Sequence, residues 1–193
     1  MEENKYSEGL EYRLNVDYRS YSLGGKGTCA DYNIIIPRTY NDLPITSIGF
    51  GAFEDCNSLN SIIIPDSVTS IGDCAFMLCK YLTSVTILGG VTGIGKFAFK
   101  YCESLTNITI PDSVTSIGEE AFAQCKNLTN ISIPNSVTSI GEKAFIFCES
   151  LTSVTIPDSV ISIGSFAFYR CKSLNNVTIP DSVISIGYCT FNR

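Results

Sequence analysis

Residues 128–150 read LTNISIPNSVTSIGEKAFIFCES, and their apolar positions divide the stretch into three short elements. Leu128 leads, and Ile131 and Ile133 alternate with Asn130 and Ser132, the period of two expected of a strand with one buried face. Pro134 has no amide hydrogen to give to a ladder, so the strand ends there and Pro134, Asn135 and Ser136 turn the chain. Val137 and Ile140 point back into the core. Gly141 is expected to take a positive φ at a tight corner, where other side chains resist it. Ala144, Phe145 and Cys148 then have the i, i+1, i+4 spacing of one helical face. That segment spans about one to two helical turns and is too short to be stable alone.

The same reading extends along the chain. Pro65, Pro111, Pro134, Pro157 and Pro180 stand at multiples of 23 residues, and Leu88 fills the one vacant slot. Gly49, Gly72, Gly95, Gly118, Gly141, Gly164 and Gly187 keep the same step, as do Phe53, Phe76, Phe99, Phe122, Phe145, Phe168 and Phe191. A fixed period of this length means a solenoid, because each unit is too small to bury its own apolar side and must stack on its neighbours. The repeated strands then form one parallel sheet. Pro37 precedes Pro65 by 28 residues, so the first unit carries five extra residues around Asn41 to Ile45.

Over residues 34–193 the pattern L-x-x-V/I-x-I-P-x-S-V-x-x-I-G-x-x-A-F-x-x-C closely resembles the BspA-type leucine-rich repeat of bacterial surface proteins and some parasitic protists. GLEYRLNVDYRSYSLGGKGTC at 9–29, followed by IIIPRTYNDLPITSIG at 34–49, resembles the N-terminal entry module of such arrays. The chain is therefore divided into a hairpin-like capping segment, 1–33, and a repeat array, 34–193. The tip of the hairpin is placed in the Leu-Gly-Gly-Lys-Gly run that contains Gly24, Gly25 and Gly27. The resemblance implies the α/β class: a curved right-handed solenoid with a parallel sheet on its concave face and short helical segments on its convex face. It further implies adhesion or protein recognition at a cell surface or after secretion, with no catalytic residue and no cofactor.

Composition agrees with one continuous folded unit: 45% of residues are hydrophobic and 17% charged. No run of about 18 apolar residues exists to span a membrane. The opening MEENKYSEGLEYR lacks the basic and then apolar stretch of a secretory signal. A net charge of −6, with no basic cluster, argues against non-specific nucleic-acid binding.

The absence of histidine rules out Ser-His-Asp and Cys-His arrangements. Glu119 and Glu120 are neighbours expected to point apart into water. Gly90 to Lys96 approaches a phosphate loop, but Phe97 stands where a hydroxyl should hold magnesium, and Gly95 is already the repeat glycine. Asp66, Asp112, Asp158 and Asp181 recur as turn formers, with Gly89 and Asn135 interrupting any calcium stack. Cys56, Cys79, Cys102, Cys125, Cys148 and Cys171 fall in repeat register, three residues after each Phe. They read as a column of buried thiols rather than disulfides or metal ligands. No metal site is assigned.

Two surfaces remain. The outward positions of the strands are Ser84 and Thr86, Asn107 and Thr109, Asn130 and Ser132, Ser153 and Thr155, and Asn176 and Thr178, preceded by Ser61 and Ile63. These are small, polar and uncharged, and rungs about 4.8 Å apart would align them into rows able to meet a protein or a glycan. Asn107, Asn130 and Asn176 also match the N-glycosylation acceptor pattern. On the opposite side Lys80, Glu103, Lys126, Glu149 and Lys172 alternate in sign from unit to unit. There too, Phe97 with Tyr101, and Ile146 and Phe147 with Phe166 and Tyr169, form aromatic clusters. Two roles follow: a recognition scaffold using the strand face, or an assembly unit that self-associates through its solenoid ends or its aromatic clusters.

Overall fold

The computed structural model describes residues 6–192, over which the backbone winds into stacked turns carrying two kinds of parallel ladder. The expected strands supply the first. Asn33–Ile35, Ser61–Ile64, Ser84–Ile87 and Asn107–Thr109 pair in order, and Asn130–Ser132, Ser153–Thr155 and Asn176–Thr178 pair beyond them. Register moves by one repeat, so Ile62 faces Val85 and Val154 faces Val177.

The second ladder was not expected. It is made of the two residues before each repeat glycine, from Ser70–Ile71 through Gly93–Ile94, Ser116–Ile117, Ser139–Ile140 and Ser162–Ile163 to Ser185–Ile186. A rung of two residues cannot display a period of two, so sequence pattern alone shows only one buried Ile. At its N-terminal end the ladder continues into Leu43–Ile48 and Tyr21–Gly25, and Glu11–Leu14 closes it as an antiparallel edge. The hairpin tip lies at residues 15–20, where the Asn15 amide donates to the Ser20 carbonyl at 2.9 Å and Tyr18 has φ 57°. The Leu-Gly-Gly run is strand instead. The extra residues of the first unit make a second hairpin, Thr39–Tyr40 against Leu43–Ile48, turned by Asn41 and Asp42 at φ 47° and 62°. Positive φ at both central residues is the type I′ geometry that matches strand twist.

The expected helical segments are absent, so the α/β label is replaced by an all-β solenoid among the described residues. Glu120 and Gln124 take left-handed φ values of 51° and 63°, and the equivalent residues do so in turn after turn: Lys143 and Phe147, Phe166 and Arg170. A right-handed helix cannot pass through such residues. Between them the amides alternate. Ala121, Ala123 and Cys125 donate to carbonyls three residues back, whereas Glu120, Phe122 and Gln124 donate to Glu142, Ala144 and Ile146 of the next turn at 2.8–2.9 Å. The backbone partners that a helix would supply locally are found in the neighbouring repeat.

The core sits between the ladders and this turn segment. Phe53 through Phe168 are at most 1% exposed and stack with Phe191 at 5.0–5.4 Å between centroids, their planes within 6°. Burying each ring is worth about 1.5–3 kcal/mol. The thiols of Cys79, Cys102, Cys125, Cys148 and Cys171 donate to phenylalanine carbonyls one turn earlier at 3.0–3.2 Å. Burial pushes Cys79 and Cys171 up to about 12 and the three thiols between them well above 9.0.

The repeat glycine is needed for a reason other than the expected positive φ, which Gly141 does not have. A Cβ there would lie 2.6 Å from the Gly118 carbonyl carbon, and one on Gly95 would lie 2.6 Å from that of Gly72. The turns touch backbone to backbone along the glycine column. Gly90 does need its φ of 78°, in the one turn where Leu-Gly-Gly replaces Pro-Asp-Ser or Pro-Asn-Ser.

Candidate binding face

Alternation along the first ladder sends Ile131 and Ile133 inward and leaves Asn130 and Ser132 exposed. All the proposed face residues are exposed, apart from the half-buried Ser84. Pairing places Ser84 beside Asn107 and Thr86 beside Thr109. It also aligns Asn130, Ser153 and Asn176 in one row and Ser132, Thr155 and Thr178 in another. The rows run on side by side past Asn107–Thr109 and Asn130–Ser132, but without ladder bonds between those two strands, so the face is two hydrogen-bonded blocks rather than one sheet.

The hydroxyls of Thr86, Thr109, Ser132, Ser153, Thr155 and Thr178 make no hydrogen bond within the described residues. Other hydroxyls of the repeat are engaged. Thr83, Thr106 and Thr152, one residue ahead of the strands, donate to the carbonyls of Asn60, Thr83 and Thr129. Thr69, Thr92, Thr115 and Thr138 do the same along the second ladder. Composition could not separate these structural hydroxyls from the free ones, because threonine occurs in both kinds of repeated polar slot. The N-terminal end of the face is tied by the Asn33 amide oxygen, which accepts from Asn60 at 2.9 Å and Ser61 at 2.7 Å.

The turn segment forms a different surface. The alternating charges make separate pairs rather than a continuous ladder: Lys126 with Glu103 at 3.0 Å and Lys172 with Glu149 at 2.9 Å. Glu120, expected in water, is held by Lys100 at 2.6 Å with only 16% of its side chain exposed. The Lys100 ammonium also sits over Phe97 and Tyr101, 5.0 and 5.3 Å from their centroids. Toward the C-terminal end Phe147, Phe166, Tyr169 and Tyr188 meet edge to face at 5.6–6.0 Å, and Arg170 lies over Tyr169 at 5.5 Å.

Among the described residues no group of three or more His, Cys, Asp or Glu side chains is placed to hold a metal, and no helix is long and apolar enough to cross a membrane.

The BspA type leucine rich repeat region model matches residues 46–158 and 138–193, in six copies. The chain belongs to the BspA-type leucine-rich repeat family. Solved structures of bacterial relatives agree. A leucine rich cell surface protein from Faecalibacterium prausnitzii is 38% identical at a TM-score of 0.85, over 95% of this chain and 50% of its own. The leucine rich repeat protein of T. pallidum is 30% identical at a TM-score of 0.89, over 96% of this chain and 86% of its own. A leucine-rich repeat protein from Bacteroides ovatus is 28% identical at a TM-score of 0.74, over 96% and 55%. This BspA-type chain thus spans about half the length of two of those three relatives. No curated protein matches it.

Proposed function

We propose that the chain is a non-enzymatic recognition module of a cell-surface or secreted protein, adhesin-like, binding a protein or a glycan rather than nucleic acid. The observation that carries this reading is the set of exposed hydroxyls on the strand face with no hydrogen-bond partner among the described residues. Two rows in register offer donors and acceptors at strand spacing, about 4.8 Å, without a charge to select against neutral ligands. Asn107, Asn130 and Asn176 supply amides at the row ends. The segment 1–33 serves as the cap that closes the array. A screen of extracellular matrix proteins and immobilised glycans tests the reading, using the wild type and a Thr109→Lys, Ser132→Lys, Thr155→Lys triple variant. A ligand held by the wild type and lost in the variant, with an unchanged melting temperature, supports it. Equal binding by both removes the face from the function.

A further inference from the structure

From the turn surface we infer a second interaction site: the cluster of Phe147, Phe166, Tyr169, Arg170 and Tyr188 docks a segment of a partner protein that presents a carboxylate beside an apolar side chain. The fold does not demand aromatic residues there. Phe166 and Phe147 occupy the two left-handed slots of the turn segment, at φ 58° each. Other turns fill those slots with Gly51, Asp55, Glu120, Gln124 and Lys143, and also with Cys74, Leu78, Phe97 and Tyr101, so the slots accept either kind of side chain. A bulky side chain is an unfavourable occupant of left-handed backbone. Residues that neither packing nor backbone geometry requires, but that cluster and remain partly exposed, are accounted for by what they meet outside the protein.

Charge identifies the partner. Arg170 has no carboxylate partner among the described residues, and its guanidinium rests on Tyr169. The acids of the adjacent turns are already held, Glu142 by Lys143 and Glu149 by Lys172, each at 2.9 Å. The comparable cluster at Phe97 and Tyr101 differs, because its Lys100 is neutralised by Glu120. The cluster at Arg170 therefore carries an unspent positive charge on a chain of net −6. The ring planes meet at 76–89°, so the rings present edges rather than a flat platform, and the cation lies over the Tyr169 ring. A sugar ring stacks on a flat aromatic face, which this edge-to-face arrangement does not offer. Tyr, Phe and Arg together are also the side chains that anchor protein interfaces. Tyr188, 73% exposed, forms the open edge of the site.

The test uses a fluorescein-labelled peptide in which aspartate alternates with leucine and phenylalanine, and the same peptide with asparagine in place of aspartate. The acidic peptide should raise anisotropy and shift the amide resonances of Phe147, Phe166, Arg170 and Tyr188. Arg170→Gln and Tyr188→Ala should each weaken binding at least about tenfold, the loss of one anchoring contact. Arg170→Lys should recover part of the loss, and Lys80→Ala, elsewhere on the turn surface, should change nothing. Melting curves check that each variant is folded. The inference is overturned if the neutral peptide binds as well as the acidic one, if neither binds, or if oligogalacturonate displaces the acidic peptide. It is also overturned if sedimentation shows a dimer that Tyr188→Ala dissolves, because the cluster would then be a contact between copies. These readouts use none of the strand-face residues, so they fail or succeed independently of the proposed recognition face.

Discussion

The two ladders share every turn of the solenoid, yet one runs unbroken from Glu11–Leu14 to Ser185–Ile186 and the other splits between Asn107–Thr109 and Asn130–Ser132. Three features hold the continuous ladder. Backbones touch at the glycine column, each repeat glycine amide donates one turn back, as from Gly118 to Ile94 and from Gly141 to Ile117, and threonine hydroxyls add further bonds. The split ladder also has threonine bonds, from Thr83, Thr106 and Thr152 to the preceding turn, but its strands run into proline, which has no amide to donate. Leu88 shows what proline removes: its amide donates to Ile64 at 3.0 Å, and Ser61–Ile64 and Ser84–Ile87 reach four residues, whereas strands before Pro111, Pro134, Pro157 and Pro180 have three. At the split, the bond expected from the Thr129 amide to Thr106 is missing, although Thr106 donates to Thr83 and Thr152 to Thr129. The split coincides with the one place where two asparagines, Asn107 and Asn130, occupy adjacent rungs. Elsewhere each rung has a serine neighbour. Ile108, Ile110, Ile131 and Ile133 beside it are 6–8% exposed, against 2–3% for Val85, Ile87, Val154 and Ile156. A regular sequence thus leaves a local irregularity where the polar row departs from its usual pairing of each rung with a serine.

The largest expected effect sets the limit common to both ladders. The column thiols are neutral in the fold and titrate higher there than in the unfolded chain, so their contribution is complete below pH 9.0. It is lost as pH rises toward about 12, the value for Cys79 and Cys171. Circular dichroism against pH should show one cooperative loss in that window. Loss of the split ladder alone, followed by exchange, would mean that the ladders do not share one core.

Phe122→Ala, in the middle of the ring stack, should cost about 3–5 kcal/mol in denaturant melts. A cost below about 1 kcal/mol, far short of a buried ring, would place the load on the ladders rather than the stack. Gly141→Ala should cost about 1–3 kcal/mol or more, because its new Cβ meets backbone that cannot move aside. Gly93→Ala in the same ladder has room, the nearest atom being Ser116 Oγ at 3.4 Å, and should instead stabilise by about 0.5–1 kcal/mol. Equal effects at the two glycines would show that the continuous ladder does not depend on close backbone approach.

Hydrogen exchange should find the amides of Ile131 and Ile133 less protected than those of Val154 and Ile156, by about tenfold, which corresponds to about 1.4 kcal/mol. Uniform protection would remove the split as a weak point. Asn130→Ser, which restores a serine neighbour at the rung, should raise that protection with a gain below about 1 kcal/mol. No change would show that asparagine crowding is not its cause.

The sequence by itself determined the period, the solenoid, the phenylalanine and cysteine columns, and the polar alternation that exposes Asn130, Ser132 and their equivalents. Those follow from apolar residues repeating every 23 positions, a signal each unit carries whole. Only the tertiary structure decided that Glu142 to Cys148 would not be a helix, that Ser139–Ile140 would be a strand, and that Gly141 would serve close contact rather than positive φ. It also decided which threonines would be consumed by the backbone and which would face outward unpaired. In each case the deciding partner belongs to the neighbouring turn: Ala144 accepts from Phe122, Ser139 pairs with Ser116 and Ser162, and Gly141 lies against Gly118. Local propensity and periodicity describe what one turn prefers alone, whereas its backbone hydrogen bonds and closest contacts exist only once the next turn is stacked upon it.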